Sequence, residues 1–259
     1  MKAVIHSVLG AILVLTNNVA NAEIVEIEKM SAVLPLVKGK TLVVFDLDNT
    51  IIEPTQTLGS DQWFGYLVDK FTKLGETPEQ ATDHAIEDWS EVQHASDVVP
   101  VEGSTPRLVE RLQRRGDVDV MALTARPYEM RHRTRIQLRA VGVDFEKDAP
   151  FSENKDLPSD LNYHRGIVSI GPKQSKGEAI TRILAAISQR YDRVLFIDDK
   201  AKHTKSVDEA LAQSDLENFS FRYGAADPKV QGFNAKVADK QFDVFQRTGV
   251  IISDFEASK

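Results

Sequence analysis

The sequence predicts an α/β fold, a parallel sheet with helices on both faces and a helical segment set into it. Three observations predict it. Short apolar runs of strand length recur along the chain, and several end abruptly in Asp or Thr, as in Thr41–Phe45 followed by Asp46 and Asp48. The stretches between them carry apolar residues at helical spacing. Strands that alternate with helices build a parallel sheet covered on both sides.

The elements follow in order. Residues 24–37 read as a surface helix leading into the first strand. Thr41–Phe45 is a continuous run of β-formers without alternation, the pattern of a strand buried on both faces. Residues 62–74 place Trp63, Tyr66, Leu67, Phe71 and Leu74 on one helical face. Thr77-Pro78-Glu79-Gln80 is a helix start with proline at the first position, and that helix runs on through Ile86, Trp89 and Val92. The helical insertion ends near residues 97–100. Residues 105–115 form a helix stopped at Gly116, and residues 118–123 form a second strand ending at Thr124. A basic helix spans 128–140, and Gly142 stops it. Residues 144–165 are polar, carry two prolines and read as loop or a small flap. A third strand at 166–170 precedes a helix at 176–188, with Ile180, Ile183, Leu184 and Ile187 on its inner face. A fourth strand at 194–197 closes in Asp198-Asp199, and 219–223 is a weaker fifth. The tail beyond Asp227 has no assigned role.

Composition narrows the function. The chain has 259 residues, 42% hydrophobic and 27% charged, which suits one domain with an insertion. Its formal net charge of −7 offers no long-range attraction to nucleic acid or to an anionic membrane. The absence of cysteine excludes disulfides, thiolate metal sites and cysteine nucleophiles. Residues 1–22 have the three-part pattern of a secretory signal: Lys2, an apolar stretch from 8 to 15, and Ala20-Asn21-Ala22 as a small-x-small cleavage site. The apolar stretch is too short to span a bilayer, which takes about 20 residues. Cleavage removes Lys2 and shifts the net charge from −7 to −8. The reading is an exported protein, periplasmic or secreted, with no membrane insertion once the signal is gone.

Asp46 and Asp48 stand one residue apart at a strand's carboxyl end, where ligands of open α/β sheets bind. Two acids that close repel each other unless a cation or a shared proton relieves them. A hard dication with oxygen ligands, such as Mg2+, is the simplest relief. Thr124, Lys176 and Asp198-Asp199 fall at or just after successive strand ends.

This ordered set resembles the haloacid dehalogenase superfamily of phosphohydrolases. Asp46-Leu47-Asp48-Asn49-Thr50 is similar to its first motif, Ala122-Leu123-Thr124 to its second, Lys176-Gly177 to its third, and Leu195-Phe196-Ile197-Asp198-Asp199 to its fourth. The likeness covers roughly residues 40 to 225. It implies a Rossmann-like core at 23–50 and 101–259, with residues 51–100 as a helical cap over the active site. It implies Asp46 as the nucleophile on phosphorus, forming an aspartyl-phosphate, and Asp48 as general acid and then base. It implies Thr124 and Lys176 as phosphate ligands, and Mg2+ held by Asp46, the backbone carbonyl of Asp48, Asp198 and Asp199. The substrate it implies is a small phosphorylated molecule. Hydrolysis and transfer to an alcohol share this intermediate, and a fold that has lost turnover is a third reading.

Other residues are less defined. Arg126 reads either as a phosphate contact or as a surface residue at a helix start. Arg131, His132, Arg133 and Arg135 read as a solvated face. Trp63, Phe64 and Tyr66 either line a pocket or fill the insertion's own core. The histidines show no metal-ligand spacing. Lys200, Lys202 and His203 sit on the helix after the fourth motif, outside the catalytic set.

Overall fold

A strand buried on both faces sends alternate side chains into two separate cores, and the central strands here do so. The computed structural model of the chain describes residues 24–151, 158, 161–187 and 190–259. The expected signal at 1–22 lies outside the described residues, as do Ser188 and part of the expected flap at 144–165.

The first half runs β1 (Val25–Ile27), a 3-10 turn (Met30–Leu36), β2 (Thr41–Phe45), β3 (Ile52–Pro54), α1 (Asp61–Lys73), α2 (Pro78–Ala95), β4 (Val98–Pro100), α3 (Thr105–Gln113) and β5 (Val118–Thr124). There follow α4 (Arg131–Ala140), β6 (Tyr163–His164), β7 (Ile167–Ser169), α5 (Lys176–Ala186), β8 (Arg193–Asp198), α6 (Ala201–Leu211) and β9 (Glu217–Tyr223). The tail holds α7 (Asp227–Gln231), α8 (Ala235–Thr248) and α9 (Asp254–Ala257).

The main sheet has seven strands in the order β1-β9-β8-β2-β5-β7-β6. Every pairing in it is parallel except the β6–β7 hairpin. That hairpin turns through Arg165 and Gly166, both at positive φ, the geometry a two-residue hairpin loop needs. Val43 and Phe45 of β2 enter one core with Val120 and Ala122 of β5, Leu195 and Ile197 of β8, and Leu108 and Leu112 of α3. Leu42 and Val44 enter the other, with Met121, Leu123, Val194, Phe196, and Ile180, Ile183 and Val207 of α5 and α6. The protein is thus a Rossmann-like α/β fold, helices on both faces of a mostly parallel sheet.

Two expectations change. Residues 24–37 are not a surface helix: β1 adds an edge strand beside β9, and the 3-10 turn buries Met30 and Val33 completely. Pro35 inside the turn removes a backbone donor and keeps it short. The tail, grouped with the sheet core by position, packs elsewhere. Ala238 and Phe245 of α8 join Trp63, Leu67, Phe71, Ala85 and Trp89 in a third cluster.

That third cluster belongs to the insertion. β3 and β4 pair antiparallel as a stem, and α1 and α2 form the helical hairpin above it. Ser60 caps α1 through Trp63 N–H, and Thr77 with Gln80 forms a capping box on α2 with Pro78 in its first turn. Trp63 meets Phe242 at 5.2 Å between ring centroids, and Tyr66 meets Phe233 at 5.9 Å.

Candidate active site

Register decides which side chains meet. Phe45 pairs with Ile197 on one side and with Ala122 on the other. Asp46 N–H donates to Ile197 O at 2.8 Å, so Asp46 and Asp198 leave adjacent strand ends side by side. The strand order reverses between β2 and β8, and such a reversal opens a crevice at the carboxyl ends.

The loop after β2 is wound around one carbonyl. Leu47 O accepts from Thr50, Ile51 and Ile52 N–H at 3.2, 2.8 and 3.0 Å. Asn49 takes φ 58°, a left-handed conformation that Asn tolerates through local hydrogen bonding. Its side-chain amide donates to Asp199 Oδ2 at 3.3 Å.

Lys176 opens α5, and Gly177 permits its placement. A Cβ at Gly177 would meet Ser206 O at 2.1 Å, so only glycine lets α5 approach α6 this closely. The Lys176 ammonium has no exposed surface and donates to Asp46 Oδ1 and, at 2.5 Å, to Asp198 Oδ2. Asp198 also faces His203 Nδ1 at 3.1 and 3.2 Å and accepts Lys200 N–H at 2.8 Å.

Carboxylate oxygens of Asp46, Asp198 and Asp199 lie within 4.8 Å of one another. Burial pushes the Asp46 carboxyl up to about 7; Asp198 and Asp48 add to the rise, and Lys176 offsets only part of it. Burial, then Asp46 and Asp198, push Asp199 up to about 9. Burial also acts to raise Asp198, but Lys176 and His203 outweigh it and hold that carboxyl below its ordinary value. Burial disfavours the Lys176 charge, yet Asp198 and Asp46 more than compensate and hold its pKa above the usual lysine value. Crowded acids with one ammonium between them have the chemistry of a hard-cation site: all-oxygen donors and surplus negative charge.

Asp48 stands apart from this trio. Arg126 donates to both of its oxygens, Nε to Oδ2 and Nη2 to Oδ1, each at 2.8 Å. The Arg126 side chain is 1% exposed and its guanidinium lies 5.3 Å from the Trp89 ring centroid. Thr124 is buried at the end of β5, and its hydroxyl accepts Arg126 N–H at 3.1 Å.

A cleft of about 500 Å³ connects these groups with the insertion. Asp46, Asp48, Thr124, Asp199 and Lys200 line its floor, and Phe64, Val68, Ile86 and Trp89 line the side formed by α1 and α2. Lys200 pairs with Asp61 at 2.7 Å, joining the loop after β8 to the first residue of α1.

Of the residues singled out from sequence, Asp46, Asp198, Asp199 and Lys176 converge, and Asp48 and Thr124 face the same cleft. Lys176 contacts the acids rather than the cleft wall. Trp63 fills the insertion's core, Phe64 lines the cleft, and Tyr66 bonds Asp239 at 2.7 Å. Arg133 is half-buried; it donates to Gln93 O at 2.8 Å and Ser96 O at 2.6 Å. Sequence reasoning missed the grip of Arg126 on Asp48, the His203–Asp198 contact and the Lys200–Asp61 bridge. Only His203 had a local signal, five residues after Asp198 on the following helix.

Fold and site together define an α/β protein with a Rossmann-like sheet and an acidic pocket at its strand-order reversal. Within that class, the chain belongs to the family described as "Protein of unknown function (DUF2608)", whose model matches residues 21–258. Relatives include a protein of Chlamydia trachomatis serovar D named "Putative outer membrane protein", 24% identical over 71% of this chain and 69% of that one. A Chlamydia pneumoniae protein of the same name is 23% identical over 78% of this chain and 76% of its own length. Similar solved structures include a "putative phosphoglycolate phosphatase" from Lactobacillus plantarum, at 14% identity, 76% and 93% coverage and a TM-score of 0.46. A "Had-superfamily hydrolase" from Ehrlichia chaffeensis follows at 19% identity, 76% and 100% coverage and a TM-score of 0.40. Among the described residues, no helix is long and apolar enough to cross a membrane.

Proposed function

We propose that this protein is an exported, Mg2+-dependent phosphohydrolase of the haloacid dehalogenase type, cleaving a small phosphate monoester. The observation that carries the reading is the convergence of Asp46, Asp198 and Asp199 within 4.8 Å at the strand-order reversal.

Asp46, Asp198 and Asp199, with the backbone carbonyl of Asp48, would hold the metal; when bound, it supplies charge neutralisation of the phosphoryl oxygens and a fixed template. The Asp46 carboxylate attacks phosphorus, the bond to the ester oxygen breaks, and an aspartyl-phosphate remains. Asp48 gives the departing oxygen a proton and then takes one from the water that hydrolyses the intermediate. A carboxylate oxygen has two lone pairs, so the Arg126 fork leaves one on each oxygen for that proton. Two of the three Lys176 N–H groups serve Asp46 and Asp198; set behind the cleft wall, the ammonium balances the negative charge gathered around Asp46. The Thr124 hydroxyl donates to a phosphoryl oxygen.

Residues 51–100, with α8 packed against them, act as the cap that excludes water during chemistry. The carbon-rich wall of Phe64, Val68, Ile86 and Trp89 suits the apolar part of the leaving group. The signal-like pattern of residues 1–22 supports export, and the names of the chlamydial relatives are compatible with it.

The test is phosphate release from a panel of phosphorylated metabolites by the protein lacking residues 1–22, with Mg2+ and with chelator. Wild type is expected to release phosphate only with the metal, and Asp46→Asn to lose at least ~10³-fold in rate, as expected when the attacking group is removed. Release that persists in Asp46→Asn rejects the assigned nucleophile. Glycerol as a second acceptor separates transfer from hydrolysis.

A further inference from the structure

The reaction assigned above uses Asp48 but leaves unexplained the buried polar chain that leads away from it. Arg126 gives two N–H groups to Asp48 and two more to Thr134 Oγ1 at 3.2 Å and Gln137 Oε1 at 2.7 Å. Four of its five donors are therefore committed, and it is buried at the border of the cleft. Gln137 continues the chain: its Nε2 donates to Gln93 Oε1 at 3.0 Å and to Ser96 O at 3.0 Å. Gln93 Nε2 then donates to Gly59 O at 2.6 Å.

The two backbone ends of this chain have one thing in common. Gly59 precedes Ser60, the N-cap of α1, and Ser96 is the C-cap of α2. These are the points where the helical insertion leaves its stem and returns to it. They also lie against each other, since a Cβ at Gly59 would meet Ser96 Oγ at 2.6 Å. Arg133, one turn before Gln137 on α4, grips the same place through Gln93 O and Ser96 O. Thr134, Gln137, Gln93 and Ser96 are all buried. A buried network whose members are all satisfied has little freedom to rearrange piecemeal. Movement of the insertion's roots is therefore transmitted to Gln137, then to the guanidinium, then to the plane of the Asp48 carboxylate.

We propose that Arg126 and Gln137 are positioning residues that tie the orientation of the Asp48 carboxylate to the seating of the helical insertion. The kinetic half of this proposal rests on the phosphohydrolase reading; the mechanical half does not. Gln137 touches neither Asp48 nor the cleft, so its effect on turnover must pass through Arg126 or through the insertion's roots at Gln93 and Ser96. Arg126 is held in a two-pronged geometry that lysine cannot reproduce.

The experiment has two arms. The first uses p-nitrophenyl phosphate with Mg2+. Gln137→Met, close in size but unable to bridge, is expected to lower kcat ~10- to 100-fold, the scale of a small misplacement at a reacting group, while KM stays within about twofold. Arg126→Lys is expected to show the same split, and it stands in if Gln137→Met does not fold. A folded Gln137→Met or Arg126→Lys with wild-type kcat overturns the proposal. The second arm is amide hydrogen exchange on wild type and Asp48→Asn, without substrate. Asp48→Asn weakens the fork, and faster exchange is expected around residues 58–60 and 96–98, the second stretch far along the chain from the substitution. Unchanged exchange there overturns the link. Accelerated exchange together with no hydrolysis of any phosphate ester keeps the link and rejects the phosphohydrolase reading.

Discussion

Lys176 carries one positive charge into a site where Asp46, Asp198 and Asp199 supply up to three negative ones. Without a dication the surplus is relieved by protons, which is why burial and the neighbouring acids push Asp199 up to about 9. The sign of the linkage follows. Between the ordinary carboxyl value of 3.8 and about 9, the folded chain keeps a proton on Asp199 that the unfolded chain sheds. Stability of the metal-free protein should therefore fall as pH rises through that window. Mg2+ should flatten the slope, and its binding should expel protons. Calorimetric titration at one pH in two buffers of different ionisation enthalpy reads the expelled protons; a heat independent of buffer would rule the cluster out as the cation site. Lys176→Met removes the ammonium and leaves Asp46 and Asp198 facing each other in a buried site. Breaking a buried pair from one side costs about 3–5 kcal/mol, and urea denaturation should show a loss on that scale in metal-free protein. An unchanged midpoint would mean the two acids never share the charge in solution. At this scale the sequence was readable where a residue's placement follows from a strand end, as for Asp46 and Thr124. It was unreadable where the role depends on a distant partner. Nothing within several residues of Arg126 announces that its fork closes on Asp48, 78 positions away.

The elements divide along the same physical line. β2, β5 and β8 were legible because full burial on two faces demands unbroken apolar runs, and those runs stop where the polar site begins. α1 and α2 were legible from apolar period and from the Thr77-Pro78 start. β1, β3 and β4 were not, since each has only three residues, less than a period can define. The tail was opaque for a different reason. The apolar stripe of α8 is plain, but a stripe does not say what it covers, and its partners lie in α1 and α2. One side chain reveals how tightly that docking is specified. Gln241 is fully buried, its Oε1 accepts Leu58 N–H at 2.9 Å, and its Nε2 donates to Ile252 O and Asp254 Oδ1 at 2.8 Å each. Asp254 in turn accepts from Thr57 N–H and Oγ1. Gln241→Leu keeps the packing and strands the Leu58 donor. An unsatisfied buried donor costs about 1–3 kcal/mol, so a loss of that size is expected in chemical denaturation. A neutral result would show that Gln241 does not anchor α8 to the insertion.

The whole molecule joins two bodies of different stability logic. The sheet is closed in by helices on both faces, while the insertion reaches its full core only when the tail, distant in sequence, folds back upon it. The chain has no cysteine, so neither body depends on the redox state of its compartment, and the same fold is open to it before or after export. The case for export therefore rests on the signal-like pattern of residues 1–22. Residues 1–22 carry one charged side chain, an apolar stretch too short to span a bilayer, and a small-residue site ending at Ala22. The family match opens at residue 21, and the first described strand begins at Val25. A cut after Ala22 thus leaves β1 whole, with its pairing of Val25 to Phe221 and Ile27 to Tyr223 intact. Expressed at full length in a bacterium with a periplasm, the protein is expected to start at Glu23 and to appear in the periplasmic or secreted fraction. Mass spectrometry of the intact chain reads the start directly. A full-length chain retained in the cytoplasm, still beginning at Met1, would overturn export while leaving the acidic site and its assay untouched.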